Sequence, residues 1–280
     1  MPEVITQIDH SPDEVESPEE LAYHLQRGSL AGLSVQGLAL EGVDLSGVDV
    51  HHTLFVGCAL TPAQIANMVA RGAQVVPVFA DKPYPTQPSR LYTPEELSAG
   101  FADGGFDAMY DTVVFAHFVG HGGATPDLRE ALAQRVHDHG IDNALAQVTD
   151  EWIAEHGRAT IVGVMGGHAE LRGSPAYRAA ASLAWRLTNG GRLILTGGGP
   201  GVMEAANLGA YLSTFPETEL ERAIDALSSA PDFHDRGPFT AAALAVRDRY
   251  RPDAPWPRAG GLSVPTWFYG HEPANLFAAH

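Results

Sequence analysis

Thr196-Gly197-Gly198-Gly199-Pro200-Gly201 is the stretch on which the fold turns. The apolar run Leu193-Ile194-Leu195 leads into it, and Val202 to Leu212 follows with helical composition, so it reads as the turn between a strand and a helix. Glycines without a Cβ let the backbone approach a phosphate closely. A helix starting just beyond adds N–H groups and the positive end of its dipole, so an anion site forms there without a lysine. A tight strand-to-helix turn needs glycine for backbone reasons too, so an anion site and a purely structural turn are both open. No Gly-Lys-Ser/Thr follows and the glycines are not spaced G-x-G-x-x-G, which excludes a Walker loop and the dinucleotide fingerprint.

Working outward, Thr160-Ile161-Val162-Gly163-Val164-Met165 is a continuous apolar run, the pattern of a strand buried on both faces. Gly166-Gly167 follow it. Ser174-Pro175 then caps a helix with Tyr177, Ala180, Ala181, Ala184 and Leu187 on its apolar face, stopped at Asn189-Gly190-Gly191. Further helices are predicted near 217–228 and 239–249, and a third strand near Leu262-Ser263-Val264-Pro265. Strand alternating with helix predicts the α/β class, a Rossmann-like parallel sheet with right-handed crossovers over 159–280.

The N-terminal segment, 1–60, has another period. Leu30, Val35, Leu40, Leu45, Val50, Phe55 and Leu60 are apolar every fifth residue, and Leu33, Leu38, Val43, Val48, Thr53 and Cys58 are smaller inward candidates two before most of the following ones. Glycine recurs at 32, 37, 42, 47 and 57. A period of five is neither helical nor that of a strand, and it fits a square β-solenoid whose sides are five residues long. Residues 28–60 resemble pentapeptide repeats, Gly42-Val43-Asp44-Leu45-Ser46 and Gly47-Val48-Asp49-Val50-His51 being the closest units. A Gly-rich loop is the alternative. Between them, 61–158 reads as a mostly helical region, with helices from Thr61-Pro62 to about Arg71, at Thr93-Pro94-Glu95-Glu96, and over 126–138 and 141–156, and a short strand at Val75–Phe79.

The 280 residues suffice for two domains at ~100–200 residues each. Seventeen basic against 34 acidic side chains give a net charge of −17, which repels nucleic acid. Only Lys82 among the cations is a lysine. A single cysteine, Cys58, excludes an internal disulfide and a cysteine-rich zinc site, and its inward position suits a small structural residue. The N-terminus is acidic where a signal peptide is basic, and no apolar run approaches the ~18 residues of a membrane span, so no membrane association is expected and the cytoplasm is. Of the 13 histidines, His117 and His121 have i, i+4 spacing but lack an H-E-x-x-H context, so no metal and no other cofactor is expected.

Thr196-Gly197-Gly198-Gly199-Pro200-Gly201-Val202-Met203-Glu204-Ala205-Ala206-Asn207-Leu208-Gly209-Ala210, with Gly166-Gly167 before it and Tyr177 on the intervening helix, resembles the Lonely Guy (LOG) family of Rossmann-like nucleotide-binding proteins, roughly from Ala159 to His280. The resemblance implies a homodimeric phosphoribohydrolase that takes a nucleoside 5′-monophosphate and releases base and ribose 5-phosphate. Gly197, Gly198, Gly199, Gly201, Met203 and Glu204 fall on the family's glycine motif, and Gly166 and Gly167 on its first strand-end turn. The second signature, Pro-Gly-Gly-x-Gly-Thr-x-x-Glu, which carries the main phosphate loop and the catalytic glutamate, has no counterpart in these residues. The expectation is therefore an incomplete Rossmann-like domain over 159–280, part of a longer protein or a short form, with its catalytic residues unknown. In Trp267 to Pro273, His271 and Glu272 are candidates to bind ribose or base, and the aromatic side chains are candidates either to stack on a base or to pack the sheet. Arg172 and Arg178 are candidates for the phosphate. A non-catalytic nucleotide sensor or interaction protein is the alternative function.

Overall fold

The computed structural model describes residues 13–253, 259–267 and 272–280. It is a mixed α/β structure with two parallel sheets, and it divides into two compact units. The first holds the described residues up to Leu91 together with Pro126–Glu151; the second holds Tyr92–Thr125 and the described residues of Trp152–His280.

In the first unit β1 (Glu14–Val15), β2 (Ser34–Gln36), β3 (Leu54–Val56) and β4 (Gln74–Val76) pair in parallel in chain order. Glu14 lies against Ser34, Ser34 against Leu54 and Leu54 against Gln74, a constant offset of twenty residues. Bridges between Ser29 and Asp49 and between Ala39 and Ala59 keep that offset. The five-residue spacing of apolar side chains thus becomes a twenty-residue register. Leu30, Val35, Leu40, Leu45, Val50 and Phe55 are all buried in one core with Leu38, Val48 and Cys58. Thr53 also points in, its hydroxyl donating to Leu30 O at 2.7 Å. Of the recurring glycines only Gly32, Gly37 and Gly57 take positive φ, and His52 takes the same conformation at φ 59° in the corner equivalent to Gly32.

Two helices finish the sheet's surroundings. Ser17 and Glu20 form a capping box at α1 (Pro18–Gln26), which buries Leu21; Thr61 and Gln64 form another at α2 (Pro62–Ala70), which buries Met68. The carbonyls of Leu40, Val43, Leu45 and Val48 need donors. Gln64 Nε2 supplies the first two at 2.7 and 3.1 Å, and the Arg71 guanidinium the others. The chain then forms α3 (Pro94–Leu97), α4 (Phe101–Gly104) and α5 (Tyr110–Gly120) in the second unit. Where the sequence predicts two helices over 126–138 and 141–156, the structure has one, α6 (Leu128–His156). Gly140 does not break it; a Cβ there would lie 2.4 Å from Pro88 O, so glycine permits a close approach. Lys82 is buried with its ammonium 2.6 Å from Glu130, whose other oxygen accepts from Tyr84 at 2.9 Å.

The second unit is built on β5 (Ile161–Val164), β6 (Leu193–Thr196) and β7 (Leu262–Ser263), parallel and in that order. α7 (Pro175–Asn189), α8 (Val202–Tyr211), α9 (Glu217–Leu227) and α10 (Arg236–Arg249) supply its core, which includes Tyr177, Leu208, Leu212, Ile224, Val246 and Phe277. β5 departs from the expected strand buried on both faces: it is an edge strand, only partly covered, and Met165 at its end is 70% exposed. Among the described residues no helix is long and apolar enough to cross a membrane. α7 and α8 approach so closely that a Cβ on Gly209 would lie 2.1 Å from Ala181 O. Gly209→Val should therefore destabilise the protein by about 1–3 kcal/mol or more through overpacking. Gly42→Ala, where an added Cβ meets nothing within 4 Å, should cost less than about 1 kcal/mol; urea melts of the two variants compare them.

Candidate functional site

Parallel strands end on one edge, so the segments after β5, β6 and β7 gather there. Gly166-Gly167 and Gly197 to Gly201 interlock. Val202 N donates to Gly167 O at 3.1 Å, and a Cβ on Gly201 (φ 71°) would lie 2.2 Å from that same oxygen, so only glycine allows the crossing. Gly198, at φ 76°, lies beside Ser263 and Pro265 after β7. A buried amide network holds these ends together. Thr196 Oγ1 accepts from Gly198 N at 3.1 Å and donates to Asn207 Oδ1 at 2.7 Å, and the same Asn207 oxygen accepts from Asn275 at 2.8 Å. Asn207 Nδ2 donates to Gly260 O at 2.6 Å, tying α8 to the entry of β7.

The expected site residues separate into two sets. Gly166, Gly167, Gly197, Gly198, Gly199 and Gly201 line the edge, with Met203 beneath: its sulfur lies 3.2 Å from where a Cβ on Gly197 would be, and its methyl 2.7 Å from the corresponding point on Gly199. Met165 flanks Gly197 from the exposed side at 3.1 Å. Glu272 joins them, 9% exposed, with Oε2 3.1 Å from the Cβ position of Gly199. His271 lies outside the described residues, as do Phe268, Tyr269 and Gly270. Trp267 stacks on Phe118 of α5 with ring centres 5.4 Å apart.

Glu204 belongs to the other set. It is 2% exposed and grips Arg172 at 2.9 and 2.5 Å, with the Tyr177 hydroxyl donating to it at 3.0 Å. Arg172 also donates to Phe239 O at 2.7 Å and stacks over the Phe239 ring. Burial and the Glu204 charge push the Tyr177 phenol well above its ordinary value, so it remains a donor. Arg178 is held by Glu221 and Asp225, both at 2.5 Å. The two arginines considered for a phosphate are thus paired with carboxylates. Arg172, Tyr177 and Glu204 meet across 32 and 27 sequence positions, and no local spacing announces such a contact; the Thr196–Asn207–Asn275 network is hidden for the same reason.

Other clusters are structural. A groove of about 200 Å³ on the first unit is lined by Ser34, Gln36, Leu54, Val56, Arg135 and His139, among others, but the Glu14 at its side is bound by His139 and Asn143, each at 2.7 Å. Burial pushes the Cys58 thiol up, so it stays protonated and unreactive. His117 and His121 stack at 3.9 Å, and among the described residues no group of three His, Cys, Asp or Glu is placed to hold a metal. No family model, no curated protein and no solved structure matches this chain.

The buried pair makes its own prediction. Arg172→Met leaves the Glu204 charge uncompensated and should cost about 3–5 kcal/mol, whereas Arg172→Met with Glu204→Met removes both ions and should recover most of that loss. Equal stability of the single and double variants in urea would show that the pair is not coupled.

Proposed function

We propose that the second unit binds a nucleoside monophosphate at the glycine edge, as a LOG-type nucleotide-binding protein. One observation carries this reading: where Gly166-Gly167 cross Gly197 to Gly201 at the start of α8, the N–H groups of Met203 and Glu204 have no acceptor among the described residues. Those donors and the helix dipole favour an anion without a lysine or arginine. Met165 and Met203 offer a soft apolar surface for a base. On the same reading the second unit is a Rossmann-like half and the first a β-solenoid of five-residue sides, for which the twenty-residue register is the support. A cytoplasmic homodimer that does not bind nucleic acid completes it.

Two activities fit this site: hydrolysis of the N-glycosidic bond to base and ribose 5-phosphate, and nucleotide sensing without turnover. The resembled family's catalytic glutamate lies in a second signature with no counterpart in these residues, and Glu204, paired with Arg172 and Tyr177, does not replace it, which favours sensing by these residues. Calorimetric titration with AMP and CMP is expected to give saturable binding and chromatography to give no free base. Gly198→Asp should weaken binding at least tenfold, about 1.4 kcal/mol, through a charge and a side chain forced into positive φ. An unchanged affinity in that variant removes the glycine edge as the site, and base release by the unaltered chain restores the hydrolase reading.

A further inference from the structure

Independently of the nucleotide reading, we propose that the groove on the first unit binds a small aliphatic α-amino acid, with its carboxylate at Arg135 and its ammonium at Glu14. The groove, of about 200 Å³, lies between α6 and the outer face of the first sheet. Val35 of β2 and Phe55 of β3 turn into the core, so the alternation of a strand turns Ser34, Gln36, Leu54 and Val56 outward. Ser34 pairs in register with Leu54 and Gln36 with Val56, which sets a polar pair beside an apolar pair on the floor. Val136 of α6 adds apolar surface. The volume is the share of roughly seven liquid waters, enough for a small molecule and too little for a folded partner.

Two opposite charges line this groove without meeting. Arg135 is exposed and has no hydrogen bond or ion pair among the described residues. The Glu14 side chain is 17% exposed and accepts from His139 Nε2 and Asn143 Nδ2, each at 2.7 Å. Those donors fix the carboxylate in place without cancelling its charge, since Asn143 is neutral and His139 is charged only when protonated. No lysine or arginine among the described residues pairs with Glu14. Two donors also leave room on a carboxylate that has about four acceptor sites. An ammonium beside Glu14 and a carboxylate beside Arg135 therefore find partners that the chain withholds from each other, in charge-assisted bonds. An anion alone would face Glu14 and a cation alone Arg135, so a molecule carrying both charges matches the lining better than either. The Ser34 hydroxyl and the Gln36 amide, which make no side-chain hydrogen bond among the described residues, serve its polar end, and Leu54, Val56 and Val136 its aliphatic side chain.

The test titrates the full chain with L-leucine, isocaproate and isopentylamine, following chemical shifts by nuclear magnetic resonance; the last two carry only the carboxylate or only the ammonium. L-Leucine should saturate at least about tenfold more tightly than either. Arg135→Gln, at an exposed position whose side chain holds nothing else in the fold, should lower leucine affinity to that of isopentylamine without weakening isopentylamine. Glu14→Gln should lower it to that of isocaproate without weakening isocaproate. No saturable shift with L-leucine overturns the proposal, and so does isocaproate binding as tightly as leucine, which removes Glu14 from recognition. Unchanged leucine affinity in Arg135→Gln overturns it by placing the binding elsewhere. None of these outcomes bears on AMP binding at the glycine edge.

Discussion

A guanidinium and a carboxylate, both sealed from water, meet between the segment after β5 and the first turn of α8. Each alone would cost several kcal/mol to bury, so the fold is committed to bringing Arg172 and Glu204 together. The consequences spread through four elements. Tyr177 brings in α7, Phe239 brings in α10 by its carbonyl and ring, and Arg172 N donates to Pro231 O at 3.1 Å. Apolar side chains of the same volume would hold these elements as firmly, but dispersion is non-directional. The planar fork of an arginine fixes the direction of the loop that carries it. In the same loop Gly167 O accepts from Val202 N at 3.1 Å where the two glycine turns cross.

A net charge of −17 sets the terms for any anion site on this chain. Arg172, Arg178 and Lys82 are all neutralised by carboxylates, so the cations most readily considered for a phosphate add no net charge for it. What remains is the backbone. Thr196, Asn207 and Asn275 hold the ends of β6 and β7 through neutral hydrogen bonds alone. The ends of these strands are therefore held together without an ion pair.

Much of the fold was legible because it is local. The helices over α2, α3 and α7 begin at Thr61, Thr93 and Ser174, each followed by proline, and the hydroxyl of each accepts from the backbone three residues on; α1 begins in the same way at Ser17 but lies outside the stretches read as helical. The five-residue spacing placed Leu30 to Phe55 in a core before any register was known. Two features resisted. Glu14-Val15 joins the sheet outside the obvious repeat, because a two-residue strand has too few side chains to display a period, whereas the strand read at Val75–Phe79 forms as Gln74–Val76 and pairs with Leu54–Val56. The single helix over 128–156 reads as two because Gly140 looks like a stop, whereas its role is to let Pro88 approach. At the site the glycines were visible and the commitment of Glu204 was not: a composition of small residues is written in one stretch, but an ion pair is written in two.

Side chains close some helix starts and not others: α4, α5, α8, α9 and α10 have no side-chain cap. At α1, α2, α3 and α7 the cap hydroxyl takes up a first-turn N–H, leaving less for anything else to bind. α8 begins instead at Gly201, with no side chain to cap it, because any Cβ there would collide with the Gly167 carbonyl. The same close contact that forbids a capping side chain uses the N–H of Val202 and leaves those of Met203 and Glu204. The crossing of the turns and the availability of donors are thus one constraint seen from two sides. A residue that restored the cap would have to unlock the turns, and with them the segment that Arg172 anchors.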